Sequence, residues 1–137
     1  MANKATTSRF DLPFPPSVNT YYRTSFRSRS VYLSEKGREF KNHVANAIGL
    51  KLEVKAEFPL NSPLFPTERL SLRIELTAGN RRSYDIDGRL KGLLDAMEGC
   101  VYKNDEQIDE LHVIRNPIEK GAGRCLVFVA IREPQPF

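Results

Sequence analysis

Residues that build metal clusters and disulfide frameworks are scarce in this chain. Its 137 residues include no tryptophan, only two histidines and only two cysteines, Cys100 and Cys125. Two cysteines so far apart are too few for a Cys/His zinc site, so we do not expect structural zinc. Because no secretory leader is apparent, both thiols are predicted to be reduced core residues and not disulfide partners.

Long apolar runs are missing as well. No stretch approaches the roughly 18 apolar residues that a membrane span requires. Residues 1–8 are polar and lack a signal-peptide core, so we expect a disordered tail there. With 40% hydrophobic and 28% charged residues, the composition excludes a wholly disordered or collagen-like chain. We expect a cytoplasmic protein without membrane contacts, folded as one domain over residues 1–137.

The first part of the chain predicts one strand, one loop and one helix. Apolar and polar residues alternate over 10–14, which predicts a short strand. Residues 17–33 are predicted to be a loop. Apolar residues then recur at helical spacing over 35–48, after the favourable N-cap residue Ser34 and before Gly49, which we expect to end the helix.

The rest of the chain predicts three more strands and a second helix. Residues 51–68 are ambiguous, and their prolines favour a loop or an edge insertion in the second half of that stretch. Strict alternation over 70–76 predicts a strand, and helical spacing predicts a helix over 87–98. Two further strands are predicted near 108–113 and 126–131. The order β-α-β-α-β-β indicates an α/β (α+β) fold: a single small domain with a mixed sheet and two main helices.

Two aspartates lie between the strand over 70–76 and the second helix. Asp85 and Asp87 are two residues apart in what we expect to be extended chain, which places their side chains on one face. At a separation of about 4 Å and an effective dielectric constant of about 20, their repulsion is roughly 4 kcal/mol. A hard divalent cation with oxygen ligands would relieve it. Lys91, one helical turn after Asp87, would then reach a phosphate or a metal-bound water.

A purely structural alternative exists for each acidic residue. Either Asp85 or Asp87 could cap the second helix, and Asp87, Lys91 and Asp95 could form an exposed ladder of i,i+4 ion pairs. Asp105, in the turn after this helix, is a third candidate ligand. A helix that runs out along the sheet and returns would bring that turn near the other two aspartates. Its alternative role is turn formation, since Asn-Asp pairs favour turns.

Three blocks of sequence between residues 10 and 132 together resemble one known family, the RusA-like Holliday-junction resolvases. Residues 12–23 are similar to its Pro-Pro-Ser-x-Asn-x-x-Tyr opening. Residues 85–96 are similar to its Asp-x-Asp-Asn, Lys and Asp-Ala-Leu run, and residues 101–108 to its Asp-x-Gln-Ile turn. One departure is Gly88, which stands where the family has Asn after the second aspartate.

The resemblance implies a specific activity. Members of this family are small endodeoxyribonucleases, often carried by prophages, that act in DNA recombination and repair. The family pattern implies that Asp85, Asp87 and Asp105 bind Mg²⁺, with Mn²⁺ as a substitute, and that Lys91 assists catalysis. It also implies a homodimer that cuts a four-way junction symmetrically on two strands, without an organic cofactor. Phosphodiester hydrolysis is chemistry for which a metal ion and a nearby cation are suited.

Basic residues are concentrated in one segment. The chain has 21 basic and 17 acidic residues, a formal net charge of +4, and residues 20–41 alone carry six basic residues against two glutamates. This segment favours phosphate contacts, and its aromatic residues suit base stacking. A solvated loop is the alternative. The candidate DNA-binding residues are Arg23, Arg27, Arg29, Arg81, Arg82 and Lys91.

Two other functional interpretations remain open at this point. The chain could be a junction- or nucleic-acid-binding protein whose site no longer cleaves, and Gly88 is the feature that favours it. It could also be a small domain whose acidic cluster serves packing or a protein partner. A nicking assay on a four-way junction with and without Mg²⁺ separates the three.

Overall fold

A mixed four-stranded sheet is the centre of the computed structural model, which describes residues 7–51 and 63–133. In chain order the elements are β1 (Thr7–Leu12), α1 (Val18–Tyr21), β2 (Tyr22–Thr24), β3 (Val31–Leu33), α2 (Glu35–Lys51), β4 (Leu70–Thr77), α3 (Asp87–Met97), a 3-10 turn (Asp105–Gln107), β5 (Ile108–Arg115) and β6 (Arg124–Ile131). The main sheet has the order β1-β6-β4-β5, and β2 pairs with β3 in a separate hairpin. The predicted small α+β domain with a mixed sheet and two main helices is confirmed.

Alternating side chains in β4 and β6 explain why one face of the sheet is covered. β4 pairs antiparallel with β6 and parallel with β5, so it lies in the interior of the sheet. Each fully buried aliphatic side chain on its covered face contributes about 1.5–3 kcal/mol. Both long helices contribute apolar side chains to the same core. The core residues of β4, α2 and α3 are Leu70, Leu72, Ile74, Leu76, Phe40, Val44, Ile48, Leu93, Ala96 and Met97.

The first long helix begins as predicted but does not end at Gly49. The Ser34 side chain accepts a hydrogen bond from the backbone N–H of Gly37 at 2.9 Å, which caps α2. The helix then continues through Gly49 to Lys51, so the predicted stop is wrong. A glycine ends a helix when it adopts the left-handed conformation, and Gly49 does not. Gly99, with φ of 84°, does so just after α3.

Residues 17–33 are not the loop that the sequence predicted. They form α1 and the β2–β3 hairpin. Ser17 caps α1 by accepting a hydrogen bond from the backbone N–H of Thr20 at 3.2 Å. Tyr21 at the end of α1 is buried, because glycines in both long helices admit it: a Cβ on Gly37 would lie 2.3 Å from the Tyr21 carbonyl oxygen, and one on Gly92 would lie 3.0 Å from its ring.

The remaining predictions concern the chain end and the proline-rich segment. Thr7 and Ser8, expected in a disordered tail, belong to β1 and pair with Ala130 and Val129 of β6. Residues 1–6 and the first part of the ambiguous stretch, 52–62, lie outside the described residues. Beyond them, Phe65 forms an isolated bridge with Tyr102.

The two cysteines behave as the sequence predicted. Cys100 and Cys125 are both free and buried. Burial raises the pKa of the Cys125 thiol to about 12, so this thiol stays protonated. Among the described residues, no helix combines the length and the apolar character that a membrane crossing requires.

Candidate metal centre and nucleic-acid interface

Asp85 and Asp87 lie at the start of α3, and the chain between them is bent. Ile86 has helical backbone angles, φ −58° and ψ −49°. The expectation that the two aspartates share a face of extended chain is therefore wrong, because helical geometry already begins at the residue between them. Both side chains are exposed. Among the described residues neither carboxylate accepts a hydrogen bond, so neither caps the helix.

One face of α3 carries charges of alternating sign. Asp87, Lys91 and Asp95 follow one another at intervals of one helical turn. Lys91 Nζ lies 3.4 Å from Asp95 Oδ2, which is one half of the ion-pair ladder considered from the sequence. The other half, a pair between Asp87 and Lys91, is not among the ion pairs of the described residues. The Asp87 carboxylate therefore remains available to another ligand.

A cluster of three carboxylates lies at the other end of α3. Ligand oxygens of Asp95, Glu98 and Asp105 are all within 4.8 Å of one another. Burial, followed by the negative charges of Glu98 and Asp105, raises the pKa of Asp95 to about 6. Asp95 also accepts a hydrogen bond from the hydroxyl of Tyr22. Of these three, Asp105 is a ligand predicted from the sequence, and Asp95 was considered there only as an ion-pair partner. Glu98 was not predicted, because no sequence pattern indicates it.

The turn that carries Asp105 is held by a capping box. The Asn104 side chain accepts a hydrogen bond from the Glu106 backbone, and the Gln107 side chain accepts one from the Asn104 backbone at 3.0 Å. Gln107 is buried, and its Nε2 donates to the carbonyl oxygen of Phe65 at 2.9 Å. The backbone N–H of Asp105 donates to Glu98 Oε1 at 3.0 Å. The Asp105 carboxylate is thus exposed on a well-supported backbone.

The structure separates Asp105 from the other two predicted ligands. Asp87 precedes Asp95 by eight residues of helix, which corresponds to about 12 Å along the axis. Asp105 lies with Asp95, at the far end from Asp85 and Asp87. Within the ranges 7–51 and 63–133, the three predicted ligands do not form a group with ligand oxygens within 4.8 Å of one another.

A basic groove runs between the β2–β3 hairpin and α3. It has a volume of about 740 Å³, and Tyr22, Arg23, Val31 and Lys91 are among the residues that line it. Lys91 Nζ lies 5.5 Å from the centre of the Tyr22 ring. Because Tyr22 and Lys91 both contact Asp95, the groove adjoins the carboxylate cluster.

The predicted arginines are exposed on two segments. Arg23, Arg27 and Arg29 belong to the hairpin, and Arg81 and Arg82 precede α3. None of these five takes part in the ion pairs found in the described part of the chain. Their charges are therefore available to an anionic partner.

An aromatic and cationic cluster, not foreseen from the sequence, holds the segment before Asp85. The Tyr84 ring contacts the edge of Phe14, with ring centres 5.2 Å apart, and the guanidinium carbon of Arg115 lies 4.4 Å from its ring centre. Arg115 Nη2 also donates to the Tyr84 carbonyl oxygen at 2.8 Å. Arg89 of α3 lies 5.6 Å from the same ring centre. These contacts fix the backbone next to Asp85.

Exposed acidic side chains beside a basic groove define a small mixed-sheet domain with a candidate metal centre and a surface for a polyanion. The family model described as Endodeoxyribonuclease RusA matches residues 13–132, and the chain belongs to that family. It is 36% identical over 109 residues to the crossover junction endodeoxyribonuclease rusA of Enterobacteria phage HK97, covering 78% of this chain and 81% of the relative. The protein of the same name from Enterobacteria phage 82 is 31% identical over 117 residues (84% and 88% covered), and that of Escherichia coli K12 is 30% identical over 112 residues (80% and 83% covered). The resemblance found from the three sequence blocks is confirmed.

Proposed function

We propose that this protein is a metal-dependent endodeoxyribonuclease that resolves Holliday junctions by paired, symmetric phosphodiester hydrolysis during DNA recombination and repair. The observation that carries the proposal is the basic groove that adjoins the charged face of α3. The family match spans both the groove residues and every predicted catalytic residue. The names of the relatives describe an activity on crossover junctions, which is the substrate that we assign here.

The proposed metal ligands are Asp85, Asp87 and Asp105. Carboxylate oxygens suit Mg²⁺ and Mn²⁺, and among the described residues these three carboxylates accept no hydrogen bond from the protein. Asp95 and Glu98 fit a ligand role less well, because both already accept hydrogen bonds. Bound there, the metal ion would polarise a phosphoryl oxygen and lower the pKa of a water molecule.

Lys91 is proposed to act on the scissile phosphate directly. Its exposed amine lines the groove, while Asp95 and the ring of Tyr22 orient it from below. A cation placed there offsets the negative charge that grows on the phosphoryl oxygens in the transition state. Asp95 and Tyr22 are positioning residues in this scheme.

Homodimerisation is part of the proposal, and the position of Asp105 supports it. One metal ion needs ligands within a few ångströms of one another, whereas about 12 Å of helix separates Asp87 from the cluster that contains Asp105. A second copy of the chain is the simplest source of the third carboxylate. A two-fold dimer also provides one site for each of two symmetric cuts.

DNA contacts are assigned to the five arginines that form no ion pair within the described residues. Arg23, Arg27 and Arg29 would hold phosphates along the hairpin, and Arg81 and Arg82 would hold them beside Asp85. Each phosphate contact releases a counterion, so the affinity is expected to fall steeply with salt.

A nicking assay tests the function. The protein is incubated with a synthetic four-way junction and with a linear duplex of the same sequence, in Mg²⁺, Mn²⁺ or EDTA. We expect paired cuts in the junction alone and only with metal. Metal-independent cutting, or equal cutting of the duplex, would contradict the proposal.

A non-cleaving junction-binding protein is the second candidate, and Gly88 is the observation that favours it. The family has Asn at this position, beside the proposed metal ligands. Tight junction binding without cleavage in any divalent metal would support this candidate. An absence of binding would leave the acidic cluster with a role in packing or protein contacts.

A further inference from the structure

The tip of the β2–β3 hairpin presents an aromatic ring to solvent. Phe26 lies in the turn 25–30 and is 96% exposed. The turn is closed by a hydrogen bond from the backbone N–H of Ser25 to the carbonyl oxygen of Ser30 at 2.8 Å. Arg29 has φ of 52°, in the left-handed region, where non-glycine residues are uncommon. The backbone of this turn is therefore held in one conformation, whereas the side chain of Phe26 is almost fully exposed.

Exposed apolar side chains are concentrated on this hairpin. A single exposed apolar residue needs no explanation. Of the seven large apolar side chains that are exposed in the described residues, however, three lie here: Phe26, Val31 and Tyr32. Such a concentration on a projecting element indicates a surface that binds a partner.

The charge of the hairpin identifies the kind of partner. Residues 22–33 contain Arg23, Arg27 and Arg29 and no acidic residue. A two-fold contact with the same hairpin of a second copy would set three arginines against three arginines, which is unfavourable. An anionic partner with flat apolar surfaces matches both the arginines and the aromatic ring, and unstacked nucleic acid has both properties.

The β2–β3 hairpin forms part of the wall of the groove. Thr24 and Val31, the last paired residues before the turn, line the groove together with Lys91. The tip that carries Phe26 continues from that pair. DNA whose phosphates lie along the groove at Lys91 would therefore meet the tip.

We propose that Phe26 is a wedge that inserts between bases at the branch point of a four-way junction. Arg27 and Arg29 would hold the flanking phosphates while the ring replaces a lost base-stacking contact. The branch point is the place where stacking is interrupted, so inserting a ring there costs less than within a continuous duplex. The identity of the substrate rests on the proposed function.

The experiment measures base unstacking and affinity separately. Junctions carry 2-aminopurine either at the branch point or within an arm, and binding is followed in EDTA, where no cleavage occurs. Wild-type protein is expected to raise the fluorescence at the branch point and not within the arm. Phe26→Ala should abolish that rise and weaken junction binding by about 5- to 150-fold, with the salt dependence unchanged. Phe26→Tyr should restore both.

Arg27→Ala is the matched control on the same turn. It should weaken binding and reduce the salt dependence, yet keep the fluorescence rise. Because Phe26 is almost fully exposed, neither change should lower the midpoint of thermal unfolding.

Three outcomes would overturn the proposal. If wild-type protein cleaves junctions but Phe26→Ala retains the fluorescence rise and the affinity, the wedge is wrong and the proposed function stands. If Phe26→Ala changes only the sedimentation of the protein, the hairpin is a protein interface. If wild-type protein neither binds nor cleaves junctions, the proposed function fails and the wedge fails with it.

Discussion

The hydroxyl of Tyr22 donates a hydrogen bond to Asp95, a residue 73 positions later in the chain. This contact joins the start of the β2–β3 hairpin to α3, and Tyr22 lines the groove together with Lys91. It thereby holds the start of the hairpin beside the candidate site.

Replacing the proposed metal ligands separates cleavage from binding. Asp85→Asn, Asp87→Asn or Asp105→Asn should abolish cleavage while junction binding survives or tightens, because each change removes a ligand charge and also repulsion toward phosphate. Gel-based cleavage and binding titrations measure the two properties. Asp11→Asn, at an exposed position of β1, is the control and should leave both unchanged. Full activity in any two of the three variants would refute this ligand set.

Replacing Lys91 should mainly slow cleavage, whereas replacing the arginines should mainly weaken DNA binding. Lys91→Ala is expected to lower the single-turnover rate of bound junction by about 100-fold or more, with a smaller loss of affinity. Arg27→Ala, Arg29→Ala or Arg82→Ala should mainly weaken binding and reduce the salt slope by about one per phosphate contact. Binding and rate measurements at several salt concentrations decide this. A Lys91→Ala variant that loses only affinity would make Lys91 a backbone contact.

Two inactive variants should complement each other if the site is shared between protomers. A mixed dimer of Asp87→Asn with Asp105→Asn would then contain one intact set of ligands and one doubly damaged set. We expect the mixture to nick a supercoiled cruciform plasmid, and each variant alone to be inactive. Wild-type protein mixed with excess Asp87→Asn is the control and should also give mostly nicked circles. An inactive mixture would place all three ligands within one protomer.

Gly88 should accept the asparagine that the family has. A Cβ at this position would lie 3.9 Å from the Cβ of Asp85, an ordinary contact, and the backbone is not left-handed. Gly88→Asn should therefore fold normally. We expect cleavage by the variant to require the same Mg²⁺ concentration as cleavage by wild-type protein, or a lower one, measured by metal titration. A destabilised variant would show that the glycine is required by the fold.

Acid should weaken the fold through carboxylates that are not among the proposed metal ligands. The hydrogen bond from Arg69 holds the pKa of Asp109 below its ordinary value, and hydrogen bonds from Asn116 and Arg73 do the same for Glu75. A lowered carboxyl pKa in the folded state contributes stability above the unfolded pKa of about 4, and this contribution is lost as the pH falls through the folded pKa. Urea unfolding of Asp109→Asn should therefore depend less on pH below about 4 than that of wild-type protein.

Sequence periodicity determined the elements that make the core. The alternation in β4 and the helical spacing in α2 and α3 predicted those elements, because a buried face imposes its period on the sequence. The apolar run rich in valine and isoleucine predicted β6. The three family blocks identified the family before any geometry was known, and they marked Lys91, which the structure places in the groove.

Tertiary structure alone decided the rest, because long-range contacts hold the remaining elements. α1 has four residues and β2 and β3 have three each, which is too few for any period to show. Tyr21 of α1 packs closely against the two long helices because Gly37 and Gly92 have no side chain. The same holds for the site. Asp105 lies with Asp95 and Glu98, and not with Asp85 and Asp87, because the turn 105–107 packs against the end of α3, where the Asp105 backbone N–H donates to Glu98. Sequence periodicity does not reveal such a contact.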